Sequence, residues 1–142
     1  MKKPLVAPLL GILLGTASLW TFAAGASLYE RMGGEAVVAK VTVQALHQVA
    51  HNPAVNHAFD GVDLEKLAKK LAVHTCAITG GGCKYTGDEM KTVHAGLNIT
   101  EQDFYALVEA LRTALDDNGV GEREKNELLR ILAPMKRDVV SR

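Results

Sequence analysis

Apolar side chains recur along most of this chain at steps of three and four, and no segment after residue 26 alternates as a half-buried strand would. The pattern predicts helices throughout. Leu28 to Met32 reads as a short first helix ended by Gly33-Gly34, and Glu35 to about Ala50 as a second, with Val38, Val41, Ala45 and Val49 along one side. Asn52-Pro53 breaks it, and a turn through His57 and Phe59 follows. Asp63 is an N-cap for a helix to about Ile78, along which Leu64, Leu67, Leu71 and His74 form a row. Gly80 to Gly87 reads as a loop and Asp88 to His94 as a short helix, with Gly96 stopping the turn. Thr100, with Asp103 three residues on, has the form of a capping box. It opens a helix that turns Phe104, Leu107, Val108, Leu111 and Leu115 inward and ends near Gly119. A last helix is expected from Glu122 to Val139, kinked at Pro134. The fold class is all-α, with helices of unequal length and glycine-rich joints.

The first twenty-six residues differ. Lys2 and Lys3 precede an almost wholly apolar run from Leu5 to Trp20, and Ala24-Gly25-Ala26 offers small residues for cleavage before Ser27. This is the form of a secretory signal peptide, with an uncleaved membrane anchor as the alternative, and it implies an exported, periplasmic protein. Without those residues, two of them lysines, the 142-residue chain falls to 116 and its formal charge from zero to −2. That is one domain, with no basic patch for nucleic acid. Contact with a membrane is expected only through an uncleaved leader.

Several chemical patterns fail on their own terms. Gly82 and Gly87 have P-loop spacing, but Asp88-Glu89 follow where Lys-Ser/Thr is needed, and two carboxylates repel a phosphate. His47 and His51 stand one helical turn apart without a convincing third metal ligand. Cys76 and Cys83 have six residues between them, too many for a zinc knuckle, and there is no Cys-x-x-Cys-His for covalent haem attachment. The two cysteines can form a disulfide, for which Gly80, Gly81 and Gly82 allow a sharp return, or remain as thiols or a metal pair. No residue is marked as a catalytic nucleophile.

His94 is the remaining candidate. Met90, Val93, Leu97 and Ile99 give it an apolar surround suited to a large planar ligand, and Leu67 and Leu71 offer a facing row with Lys70 beside it. A core histidine bonded to a carbonyl is the plain alternative. A macrocycle between the two rows would have its iron on His94 and its propionates near Lys70.

From Ser27 to Val140 the chain resembles the group I truncated haemoglobins. The resemblance is carried by "SLYERMGG", "FDGVD", "GG…KYTGDEMKTVH" and "NITEQDF". It implies a two-over-two helical sandwich around non-covalent haem b in a domain over residues 27–142, with His94 as the proximal iron ligand. Phe59 matches the phenylalanine stacked on the porphyrin, Lys70 and Tyr85 match positions reaching the propionates, and Phe104 and Leu111 complete the expected haem contacts. Glycine pairs at 33–34 and 80–81 match the family's hinges. Some relatives bond a late histidine to a haem vinyl group; this chain holds Met135 there and has no histidine beyond His94.

The distal side departs from the family. The tyrosine position holds Leu46, the facing donor positions hold Leu67 and Leu71, and an aromatic pair bordering the gas tunnel is replaced by His74-Thr75, which leaves room for a wider tunnel. Each missing donor forfeits about 1–3 kcal/mol toward a strongly polar acceptor. The expectation is reversible binding of a diatomic gas (O2, NO or CO) without tight oxygen retention. Lys70 is the candidate sixth iron ligand, in competition with a propionate contact, and must lose its proton to bind metal, so that ligation strengthens as pH rises. The rival readings are a haem enzyme of NO dioxygenase or peroxidase type, served by an electron-donor protein, and a helical binding module without haem.

Overall fold

A computed structural model describes residues 25–141; most of the leader, residues 1–24, and Arg142 lie outside the described residues. Among the described residues seven α-helices follow one another: α1 (Leu28–Arg31), α2 (Gly34–Ala50), α3 (Leu64–Ile78), α4 (Met90–His94), α5 (Glu101–Asp117), α6 (Glu122–Leu132) and α7 (Lys136–Val139). One turn of tighter helix, Asn56–Phe59, separates α2 from α3. No strand occurs among the described residues. None of their helices is long and apolar enough to cross a membrane.

Local chemistry sets the boundaries. Ser27 caps α1 in a reciprocal box with Glu30, and Thr100 does the same for α5 with Asp103. Asp63 accepts from the amide of Lys66 at 3.0 Å to start α3. Gly33 and Gly34 take φ of 105° and 64°, a left-handed bend that separates α1 from α2 and that side chains with a Cβ resist. At the C-terminal end the expected single kinked helix is instead two. Pro134 has no amide hydrogen to donate, and residues 133–135 tighten into a separate turn between α6 and α7. The expected helix over 88–94 also starts later, at Met90, because Glu89 is extended (ψ 149°) and no side chain caps that end.

α2 is the hub. It packs against α3 on one side and α5 on another, while α4 packs on α7. Val38, Val41, Ala45 and Val49 of α2 are buried with Ala110, Ala114 and Leu115 of α5, Leu128 of α6 and Leu28 and Met32 at the start of the chain. Arg31 joins α1 to α6 by bonding Glu124 and Glu127, contacts that hold its guanidinium pKa above the usual value. On α5 the buried stripe is Ala110, Ala114 and Leu115, whereas the expected inward residues Phe104, Leu107, Val108 and Leu111 are only half-buried. On α3 it is Ala68 and Cys76, and the row Leu67, Leu71 and His74 lies off that stripe, half-covered. The protein thus keeps a second set of apolar faces that its own helices do not cover.

Candidate cofactor site around His94

α4 is a five-residue helix whose last residue is His94. The imidazole Nδ1 lies 2.7 Å from the carbonyl oxygen of Met90. Only a protonated Nδ1 can bond a carbonyl, so the tautomer is set and Nε2 is left with a lone pair. A carbonyl-bonded Nδ1 is the usual outer support of a metal-ligating histidine. Periodicity points to the Met90 side chain, whereas the carbonyl that His94 bonds is signalled only by the four-residue spacing between the two.

The apolar side chains expected at the site, those beside His94 in the chain above all, are poorly covered. Val93 is 41% and Leu97 44% exposed, high values for such residues beside a buried core. Met90 is half-buried, as are Leu67 and Leu71 on α3 and Phe104 on α5. Phe59 is half-buried too, and packs against the edge of the core. Two expected contacts sit deeper. Ile99 is buried, its carbonyl bonded by the amide of Ser141, so the C-terminal segment covers it. Leu111 lines an internal cavity of about 30 Å³ with Thr75, Thr42, Val41, Leu115 and Leu128. That space is of the order a diatomic molecule needs. Thr75 borders this small space.

Polar groups are few on this side. Lys70 is exposed and has no ion-pair partner among the described residues. Tyr85 donates its hydroxyl to the carbonyl of Asp88 at 3.3 Å, and its ring meets His74 edge-on at 5.0 Å between centroids. Burial lowers the His74 pKa below the usual histidine value, which favours the neutral ring. Leu46, 2% exposed, fills the α2 position at which the resemblance implies a tyrosine hydroxyl. No group of three or more metal-binding side chains occurs among the described residues. His47 and His51 stack at 4.0 Å, and His51 Nδ1 bonds the carbonyl of His47. Cys76 and Cys83 are joined as a disulfide, which removes both from any zinc site.

The residues present fit a haem. One imidazole has a fixed tautomer and a free nitrogen, and the apolar side chains named with it are left partly uncovered by the described residues. A separate cavity of about 550 Å³ lies between α2 and α3 and is lined by Val38, Ala39, Val43, Ala68, Ala72 and Val73 among others. None of the expected haem contacts lines it, and it lies toward the α2-facing stripe of α3, beside Cys76 and Cys83.

Comparison with known proteins agrees with this geometry. The chain matches the bacterial-like globin family over residues 27–141. It is 30% identical over 116 residues to the group 1 truncated hemoglobin GlbN of Mycolicibacterium paratuberculosis, an alignment covering 82% of this chain and 85% of that protein. Its fold superposes on the crystal structure of truncated hemoglobin from Tetrahymena pyriformis in the Fe(III) form with a TM-score of 0.77 and 25% identity, covering 82% of this chain and 100% of that one. A 2/2 hemoglobin from Synechococcus, solved with covalently attached heme, gives a TM-score of 0.75 at 26% identity, again over 82% and 100%. The all-α fold is therefore the two-over-two helical sandwich. The chain belongs to the bacterial-like globin family and, within it, to the group 1 truncated haemoglobins.

Proposed function

We propose that this is an exported haem b globin that reversibly binds diatomic gases at an iron held by His94. Haem, held through His94, would supply an iron able to take a diatomic gas. The observation that carries the reading is the His94–Met90 bond, which presents Nε2 within apolar faces no helix covers. His94 orients the cofactor, Phe59, Leu67, Leu71, Met90, Val93 and Phe104 exclude water from it, and Ile99 and Leu111 back it from the core. Lys70 and Tyr85 lie beside this region for the propionates. The scarcity of donors on the distal side favours gas binding over oxygen activation. Turnover of NO in the presence of oxygen and a reductant, supplied in the cell by an electron-donor protein, is the outcome that would favour an enzyme instead.

Two observations support export. The family match begins at Ser27, which leaves the apolar leader outside it. The Ser27 nitrogen lies 2.9 Å from a Glu30 carboxylate oxygen, so an α-ammonium created by cleavage before Ser27 would meet a counter-charge. Lys70 is the candidate sixth ligand. Absorption spectra of the ferric and ferrous protein across pH test both iron contacts. His94→Ala is expected to abolish the proximal signature, and Lys70→Ala to abolish any six-coordinate species that grows as pH rises. A protein that stays colourless with added haem, or a high-pH spectrum unchanged in Lys70→Ala, contradicts the respective assignment.

A further inference from the structure

Between α3 and α4 the chain crosses from one side of the proposed haem site to the other, and very little holds it. Among the described residues no backbone–backbone hydrogen bond involves residues 82–88. Their attachments to α3 are the Cys76–Cys83 disulfide, with Cα atoms 5.6 Å apart, and the edge of Tyr85 on His74. Just before Cys83 the chain closes tightly: the amide of Gly81 bonds the carbonyl of Cys76 at 2.8 Å. A Cβ on Gly81 would come within 2.5 Å of Cys76 Sγ and 2.6 Å of the Tyr29 ring. Seven residues beyond Cys83 begins α4, too short to be stable by itself and packed on α7 alone among the substantial contacts. The disulfide is thus the covalent origin of the segment that delivers His94.

Access to the two sulfurs is unequal. Cys76 is 1% exposed, whereas Cys83 lies at the surface. We propose that this bond is a thiol-responsive clamp on the haem site, whose reduction frees residues 82–89 from α3 and weakens the grip on haem. The inference rests on the reading that haem lies between α3 and α4. A dithiol supplies the electrons. Its thiolate attacks the accessible Cys83 sulfur, forms a mixed disulfide and expels Cys76 as a thiolate, which takes up a proton. The second thiol of the reductant then closes its own disulfide and releases Cys83. Two electrons and two protons pass to the protein in all. Tyr85 then loses its fixed placement on His74, and the short α4 loses the tether that limits where its imidazole can go.

The test compares oxidised and dithiothreitol-reduced holoprotein, with Cys83→Ser as a variant that lacks the bond without reductant. Hydrogen exchange is read over residues 82–94, and haem loss is read by transfer to excess apomyoglobin. Reduction is expected to speed exchange in that segment and to speed haem loss about tenfold or more, the scale on which outer supports of a ligand act. Cys83→Ser should reproduce both rates and show no response to the reductant. Unchanged rates with two thiols titrated free overturn the clamp, and so does faster exchange without faster haem loss. An oxidised protein with no Soret band overturns the haem reading, and the clamp with it, and is recognised before any reductant is added.

Discussion

Leu71→Gln puts the apolar character of the distal face to a direct test. Leu71 lies one turn beyond Leu67 on α3, off the stripe that faces α2, and is half-buried. Glutamine has a similar reach and adds an amide donor. A hydrogen bond is worth about 0.5–1.5 kcal/mol between neutral groups and about 1.5–3 kcal/mol toward a charged one. Dioxygen as a haem ligand is strongly polarised and falls between these cases. A gain of about 1.5–2 kcal/mol corresponds to roughly 10–30-fold tighter oxygen binding. Carbon monoxide carries little charge, so its affinity should move by less than about threefold. Loss of a half-buried leucine costs stability of about 1 kcal/mol, which lowers Tm by about 4 °C in a domain of this size. The assay is stopped-flow dissociation of each gas from the ferrous protein, with a thermal melt as the control. Slower release of oxygen alone supports the reasoning. An unchanged oxygen rate in a folded variant refutes it, because the amide then does not face the ligand. Equal slowing of both gases refutes it in another way, since crowding and not hydrogen bonding would be acting.

Other outcomes follow from particular contacts. In His94→Ala, added imidazole should restore the axial signature in absorption spectra, since the apolar faces that receive the haem remain; failure of imidazole to act would mean another side chain had held the iron. Burial lowers the His74 pKa in the folded protein, so the unfolded chain binds its proton first as pH falls below about 6.5. The stability tied to His74 is therefore complete above that pH and lost as the pH falls toward the lower folded value; denaturant melts across this window should show a shallower pH slope in His74→Leu, and an equal slope counts against the assignment. Gly81→Ala places a methyl group against Cys76 Sγ and the Tyr29 ring. Overpacking of that kind costs about 1–3 kcal/mol, or roughly 4–12 °C in Tm, and a melt matching the parent protein would show that the loop yields instead.

What the sequence by itself determined is local. Helical spacing, the Asp63 cap, the Thr100–Asp103 box and the glycine joints act within a few residues, and the helices start and stop close to where those signals place them. His94 was legible for the same reason, because Met90 and Val93 stand beside it on the same turn of chain, whereas the carbonyl that its ring bonds went unread. Even Pro134 announced an interruption, though not that the helix would divide in two. Tertiary packing decided the rest. The α3 row Leu67, Leu71 and His74 looks like a core stripe, yet Ala68 and Cys76 face α2, because small side chains let the two helices approach closely while the leucines stay on the open side. The same selection on α5 buries Ala110 and Ala114 and leaves Phe104 partly free. Spacing and the glycines between them favoured a disulfide for Cys76 and Cys83 without excluding free thiols or a metal pair, and nothing in the pattern signalled that Tyr85 would meet His74. Those pairings depend on where a loop returns in space, and a periodic pattern fixes which residues share a face but not which face another helix will cover.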